Sequence, residues 1–103
     1  MDAAPLRAEA AFATDAAAAY IAKLCKHFRH KIEASWDDAS GEARFPGAVA
    51  RFTASAGRLD IAIDAEDAAS MTRAKAVVED HLLRFAFREQ PEALDWRESG
   101  GLA

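Results

Sequence analysis

The sequence is poor in residues that mark several common protein classes. It contains one cysteine, three prolines and five glycines among 103 residues. A lone cysteine, Cys25, excludes an intrachain disulfide and is typical of a reducing compartment. Acidic and basic residues interrupt the alanine-rich N-terminal segment before any apolar run reaches the length of a signal peptide core or a membrane span. We therefore expect a cytoplasmic protein without a membrane partner.

Short motifs that accompany common chemistries are missing as well. The chain has no G-x-G-x-x-G, no G-x-x-x-x-G-K-[ST] and no G-x-S-x-G, which argues against nucleotide-binding loops and the α/β-hydrolase nucleophile. It has no C-x-x-C pair and no H-E-x-x-H, which are frequent in zinc sites. We therefore expect no cofactor.

The composition that remains is that of a globular protein. Hydrophobic residues make up 51% of the chain and charged residues 29%, which excludes a disordered class. The length suits one domain, so we predict a single domain over 1–103, with an ordered core at about 6–97 and frayed termini. A net charge of −4 makes nucleic acid an unfavourable partner.

Hydrophobic periodicity predicts both strands and helices. Apolar residues that recur every three or four positions predict two amphipathic helices, and strict alternation predicts strands before, between and after them. The first helical stripe is Ala17, Ile21, Leu24, Cys25 and Phe28, and the second is Met71, Ala74, Val78, Leu82 and Phe85. The predicted strands lie at 6–12, 32–36, 43–45, 48–55, 59–63 and 93–97, with turns at 38–41, 46–47 and 56–57.

The predicted order is strand, helix, three or four strands, helix and a short final strand. Short turns between consecutive strands indicate an antiparallel meander. Each helix has one apolar stripe to bury, so the expected fold is α+β, a two-layer sandwich of four to six antiparallel strands with both helices on one face. By analogy of topology alone, this order is like that of a TATA-box-binding-protein repeat.

The first helix carries an uneven charge. Lys23, Lys26, Arg29 and Lys31 place +4 within nine residues that contain no acid, so the remaining residues carry −8. One interpretation is a site for an anionic small molecule or an acidic protein partner, formed by Lys23, Lys26, His27, His30 and Lys31. The alternative, which we favour, is a solvated helix face whose cations complement the helix dipole.

The histidines raise two further interpretations. His27 and His30 are spaced to share a metal ion, but a zinc site needs three or four ligands, and Cys25 projects about 160° away from His27 on the same helix. We therefore predict no metal site. His81 lies beside the apolar stripe of the second helix, either as a hydrogen-bonded core residue, which we favour, or facing a pocket.

Two remaining features are weaker. Asp60 and Asp64 share one face of a strand but lie about 13 Å apart, too far for a catalytic pair. Leu83 and Phe87 point away from the apolar stripe if the second helix continues past them. They would then form a partner patch, and a homodimer is one hypothesis for it.

Two segments resemble the hallmark stretches of a bacterial family catalogued as Domain of Unknown Function 2218. They are Leu24 to Lys31 (LCKHFRHK) and His81 to Glu89 (HLLRFAFRE). The resemblance extends from about Leu6 to Trp96, and it includes Phe45-Pro46 and 65–67. It implies a small protein that stands alone or precedes a siderophore-interacting flavin reductase, and it supplies no catalytic residues. Gln90-Pro91-Glu92 departs from the family by breaking a continuous strand.

These observations lead to two hypotheses of function. The first is a non-enzymatic binding or accessory domain, associated with siderophore or iron metabolism through the resemblance, that uses the basic face of the first helix. The second is a small metal-dependent or acid–base enzyme that uses His81 with His27 or His30. The second hypothesis requires His81 to line a cavity and to approach the first helix.

Overall fold

A computed structural model describes residues 6–100 of the chain. Strands form where apolar and polar residues alternate, and helices form where apolar residues recur every three or four positions. The elements are β1 (Leu6–Ala13), α1 (Ala17–Phe28), β2 (Glu33–Trp36), β3 (Ser40–Phe45), β4 (Ala48–Ser55), β5 (Arg58–Ala65), α2 (Ala68–Phe85), a 3₁₀ helix (Phe87–Glu89) and β6 (Arg97–Gly100).

The six strands form one antiparallel sheet in the order β2-β3-β4-β5-β1-β6. Strands β2 to β5 are the predicted meander, because each pairs with the next along the chain. The first strand enters between β5 and β6, so it joins the two halves of the chain. The α+β class with six strands and two helices confirms the expected fold. Neither helix of the described region is both long and apolar enough to span a membrane.

Both helices pack their predicted stripes on one face of the sheet. Ile21 and Leu24 of α1 and Val78 and Leu82 of α2 are fully buried. On the sheet, alternation sends one side of each strand inward, so Phe52 is buried while its neighbours on either side are exposed. The core beneath both helices also includes Ala43, Ala50, Leu59, Ile61 and Ile63.

Gly41 in β3 determines how closely α1 approaches the sheet. A Cβ atom at this position would lie 2.7 Å from Cγ2 of Ile21 and 2.8 Å from Sγ of Cys25. Both distances are shorter than ordinary van der Waals contact, so any side chain here would push the helix outward. The missing side chain lets the helix seal Cys25 in the core.

The turn between β3 and β4 is fitted against the start of α2. Gly47 has φ +74°, a conformation that favours glycine, and a Cβ there would collide with the Ser70 side chain. Asp67 caps the helix, since its carboxylate accepts a hydrogen bond of 2.7 Å from the Ser70 amide. The close approach of Gly47 to Ser70 fixes the position of Phe45, the last residue of β3, relative to α2.

The C-terminal region differs from the prediction. The final strand was expected at 93–97, but β6 begins at Arg97, so the predicted position is wrong. Ser99, expected in a frayed tail, belongs to this strand, whereas Gly101 and residues 1–5 lie outside the described residues. The reason is tertiary: Leu94 and Trp96 alternate as in a strand, yet they pack on the core without a strand partner.

Residues 87–100, which we call the C-terminal strap, are held by carboxylates in addition to the packing of Leu94 and Trp96 and the pairing of β6 with β1. Glu79 of α2 accepts hydrogen bonds from the Leu94 amide at 3.0 Å and from the Trp96 indole N–H at 2.9 Å. Lys75 of the same helix forms an ion pair with Glu98. The strap is thus anchored to α2 before β6 reaches the sheet.

A second carboxylate anchors the beginning of the strap. Glu89 accepts hydrogen bonds from the Tyr20 hydroxyl and, at 2.9 Å, from the Thr14 hydroxyl. The hydrogen bond from the Tyr20 hydroxyl to Glu89, together with burial and the negative charge of Glu89, raises the pKa of Tyr20 to about 12. The raised pKa means that the folded state favours the neutral phenol. The hydrogen bond from Tyr20 therefore stabilises the fold below about pH 10, and this stabilisation is lost as the pH rises toward 12.

We predict that Glu79→Ala releases the strap. The change leaves two donors without their charged acceptor, which costs about 1–3 kcal/mol of unfolding free energy. Hydrogen exchange should quicken at residues 94–100 and stay slow in β4 and β5. Asp80→Ala is the matched control, because Asp80 pairs with Arg84 at an exposed position and should cost less than about 1 kcal/mol. Equal exchange in both variants would contradict the anchoring role of Glu79.

The tyrosine gives a second test, because Tyr20 is the sole tyrosine in the sequence. Absorbance titration near 295 nm should show a midpoint of about 12 in the native protein. In Glu89→Ala the midpoint should fall toward the ordinary value of about 10, since the acceptor and its charge are removed. Glu92→Ala, an exposed acid on the same segment, should leave the midpoint unchanged. A native midpoint near 10 would rule out the bond to Glu89.

Candidate functional site

A cleft opens where the C-terminal end of α1 meets α2 and the end of β3. Its volume is about 310 Å³. The three elements belong to separate parts of the chain, so tertiary packing creates the cleft. The residues that line it are His27, Phe28, His30, Lys31, Ile32, Phe45, Val77 and His81.

The floor of the cleft is aromatic and aliphatic. Phe28 and Phe45 meet edge to face with ring centroids 5.3 Å apart. The His81 ring meets Phe28 at 5.3 Å in the same type of arrangement. Phe45 is held here by the Gly47 turn, and Ile32 and Val77 complete the apolar surface. Such a surface suits the flat, apolar part of a small ligand.

Two imidazoles face each other at one side of the cleft. The ring centroids of His27 on α1 and His81 on α2 lie 4.6 Å apart. Phe85 lies next to both, with its ring centroid 6.1 Å from that of His27 and 6.4 Å from that of His81. His81 therefore lines a cavity and approaches the first helix, and it is half-buried rather than sealed in the core.

The backbone of α2 determines which nitrogen of His81 carries the proton. Nδ1 lies 2.8 Å from the carbonyl oxygen of Val77, one turn earlier in the helix. A carbonyl oxygen can only accept, so the Nδ1–H group must donate. In the neutral ring, Nε2 then has an unprotonated lone pair on the side of the ring away from the helix backbone. This nitrogen can accept a proton or a hydrogen bond from a ligand.

The rim of the cleft carries basic side chains. His30 and Lys31 follow α1 and line the mouth. The pKa of His27 is lowered, chiefly by loss of hydration and then by repulsion from His81, His30, Lys31 and Arg84. The same basic groups that lower the pKa of His27 favour a bound anion. The cleft therefore combines an apolar floor with a rim that attracts negative charge.

The structure divides the predicted basic face into two groups. His27, His30 and Lys31 line the cleft together with His81, but Lys23 and Lys26 do not. Lys23 lies 5.9 Å from the centroid of the Tyr20 ring, on another side of α1. Both lysines are exposed.

Sequence reasoning missed the apolar half of the cleft. The local pattern places Ile32 and Phe45 on strands and leaves Val77 off the predicted helical stripe, and nothing in it shows that the three residues meet. The one sequence signal for Phe45 is the Phe45-Pro46 pair, which belongs to the family resemblance. Phe85, expected on the buried stripe, is half-exposed beside the two histidines.

The described residues offer an incomplete set of metal ligands. Within 6–100, no three His, Cys, Asp or Glu side chains are placed to hold one ion. Cys25 is fully buried, and burial raises the pKa of its thiol to about 11, which disfavours the thiolate that a metal requires. His27 and His81 alone could supply two ligands.

Comparison with known proteins places the chain in a family. A model of proteins conserved in bacteria, Domain of Unknown Function 2218, described as uncharacterized, matches residues 9–97. The chain belongs to this family. Both segments that carried the resemblance, including His27, His30 and His81, lie within the match. No protein with a curated description matches the chain.

A solved structure supports the fold of this family member. The chain is similar to the NMR structure of PA4090 from Pseudomonas aeruginosa, with a TM-score of 0.74 and 26% sequence identity. The similarity covers 95% of this chain and 99% of PA4090. The two proteins therefore share this fold.

The tautomer of His81 is directly measurable. At about pH 8, nitrogen-15 NMR should show a protonated Nδ1 and an unprotonated Nε2, because the Val77 carbonyl demands a donor. His30, whose exposed ring lies at the rim of the same cleft, is the internal comparison and should show exchange between tautomers. An Nε2–H tautomer at His81 would contradict the assigned hydrogen bond.

Proposed function

We propose that this domain is a non-enzymatic binding or accessory domain that holds a small aromatic carboxylate in the cleft. The observation that carries the proposal is a cavity of about 310 Å³ with a phenylalanine floor and a rim of His27, His30 and Lys31. The floor would take the ring of the ligand, and the rim would take its carboxylate. Anionic small molecules were one of the two partner classes expected from the basic face of α1.

Size and chemistry support a small ligand over an acidic protein. The cavity volume lies at the lower end of the range for small-molecule sites, about 300–1,000 Å³. A protein partner would use a broad exposed surface, whereas Phe45 and His81 are half-buried below the surface. An acidic protein would also contact Lys23 and Lys26, which lie outside the cleft.

The proposed ligand class offers a chemical reason for the proposed link with siderophore or iron metabolism. Aromatic carboxylates with neighbouring hydroxyl groups are iron-chelating units, and they combine a flat ring with negative charge. Both features match the cleft. The proposal of this link rests on that match and on the family resemblance.

The second candidate is acid–base catalysis by His81 with His27. One specific observation favours it: the two rings lie 4.6 Å apart, and the Val77 carbonyl leaves Nε2 of His81 free to accept a proton. His27 is the histidine in ring contact with His81, so it takes precedence over His30 in this role. A metal-dependent version would need a third ligand from the substrate or from outside the described residues.

Two further expectations stay predictions. A cytoplasmic location follows from the sequence alone. A homodimer would need an apolar patch, but among the described residues Phe87 is the one large hydrophobic side chain that is mainly exposed, at 64%. A single exposed phenylalanine is normal on a protein surface, so the homodimer lacks the patch that motivated it.

The proposed function predicts binding of 2,3-dihydroxybenzoate, measured by calorimetry and by amide shifts in NMR. Shifts should concentrate at residues 27–32, 45, 77 and 81. Catechol, which lacks the carboxylate, should bind at least about tenfold more weakly, because hydrogen bonds to a charged group contribute about 1.5–3 kcal/mol. Inorganic phosphate, which lacks the ring, should cause no shift at Phe45. Absence of shifts in the cleft would refute the proposal.

Matched lysine variants test the location of the charge. Lys31→Gln should weaken binding about two- to fivefold, as expected for an exposed charge contact. Lys23→Gln removes the same charge from α1 outside the cleft and should leave the affinity unchanged. The ligand spectrum separates the two candidate functions: an unaltered ligand after prolonged incubation supports binding, and new resonances that disappear in His81→Gln support catalysis.

A further inference from the structure

The groups that face the histidine pair come from three elements. His27, His30 and Lys31 belong to α1 and the residues that follow it, and His81 and Arg84 belong to α2. Arg84 is paired with Asp80 at 3.1 Å, so part of its charge is balanced. The third element, β3, contributes Phe45, which has no charge. The pair is therefore surrounded mainly by positive charge and aromatic rings.

This environment limits how many protons the pair can hold. Two imidazolium rings with centroids 4.6 Å apart repel each other. The first proton on the pair therefore makes a second proton harder to add. The pKa of His27 is lowered, first by desolvation and next by His81, as this repulsion requires.

We propose that the His27–His81 pair couples anion capture in the cleft to the uptake of a proton. The inference rests on the proposed function and adds its regulation. A carboxylate at the rim attracts the charged form of the pair and offsets the surrounding cations. Binding therefore stabilises the protonated pair, and protonation of the pair strengthens binding by the same factor.

The direction of the pH dependence follows from this linkage. Because a bound anion favours the protonated form of the pair, affinity increases as the pH falls. The increase ends below the ordinary histidine pKa of about 6.5, because the pKa of His27 in the empty cleft is lowered. One linked proton can change the affinity by at most about tenfold for each pH unit.

The experiment is calorimetry of the full chain with 2,3-dihydroxybenzoate between about pH 6 and pH 8, where the probe itself does not titrate. We expect binding to be at least about fivefold tighter at the lower pH. At about pH 7.5, buffers of different ionisation enthalpy should report net proton uptake. Affinity that stays constant across this range would overturn the coupling and leave the proposed function intact.

Histidine variants assign the proton. His27→Gln with His81→Gln should remove both the proton uptake and the pH dependence. His30→Gln leaves the pair intact, so it should weaken binding through the loss of a rim contact but retain both the proton uptake and the pH dependence. Proton uptake that persists in the double variant, or that is lost in His30→Gln, would overturn the assignment to the pair.

The single variant His27→Gln keeps the proposal testable if the double variant misfolds. His27→Gln changes an exposed residue, so the fold should be retained, as circular dichroism can verify. Removal of one ring of the pair should reduce both the proton uptake and the pH dependence. A pH dependence equal to that of the unchanged chain would overturn the coupling. Absence of binding at every pH would overturn both the coupling and the proposed function. Binding with an affinity that does not change with pH would overturn the coupling alone.

Discussion

The close packing of α1 on β3 at Gly41 is the constraint on which the cleft depends. Without a side chain at this position, Ile21 and Cys25 reach the sheet and the helix lies low across it. The C-terminal end of α1 then comes level with α2, which brings His27 to His81. A helix raised by one methyl group would separate the elements that form the cleft, although none of its lining residues would have changed.

The cleft combines an apolar floor with basic side chains at its mouth. Phe28 is buried and Phe45 is half-buried, whereas His30 and Lys31 are exposed at an opening between elements. Fixed by the Val77 carbonyl, His81 stands at the boundary between the two environments. This combination of an apolar floor and basic side chains is the basis on which we propose a flat anion as the ligand.

The C-terminal strap shows a different use of carboxylates. Glu79 and Glu89 each accept two hydrogen bonds from groups distant in sequence. These bonds add to the packing of Leu94 and Trp96 on the core. Carboxylates thus fasten the strap at both of its ends, whereas basic side chains line the cleft.

The sequence by itself determined the fold class, the two helical stripes, the meander of β2 to β5 and the segments that carry the histidines. These follow from periodicity and turn residues, which act over a few neighbours in the chain. Only the tertiary structure decided that His81 faces His27, that Phe45 forms the floor, and that β6 starts at Arg97 instead of ending there. The physical reason is that these features depend on distances between separate elements. Such distances are set by close contacts such as Gly41 against α1 and by anchors such as Glu79, and neither leaves a periodic trace in the sequence.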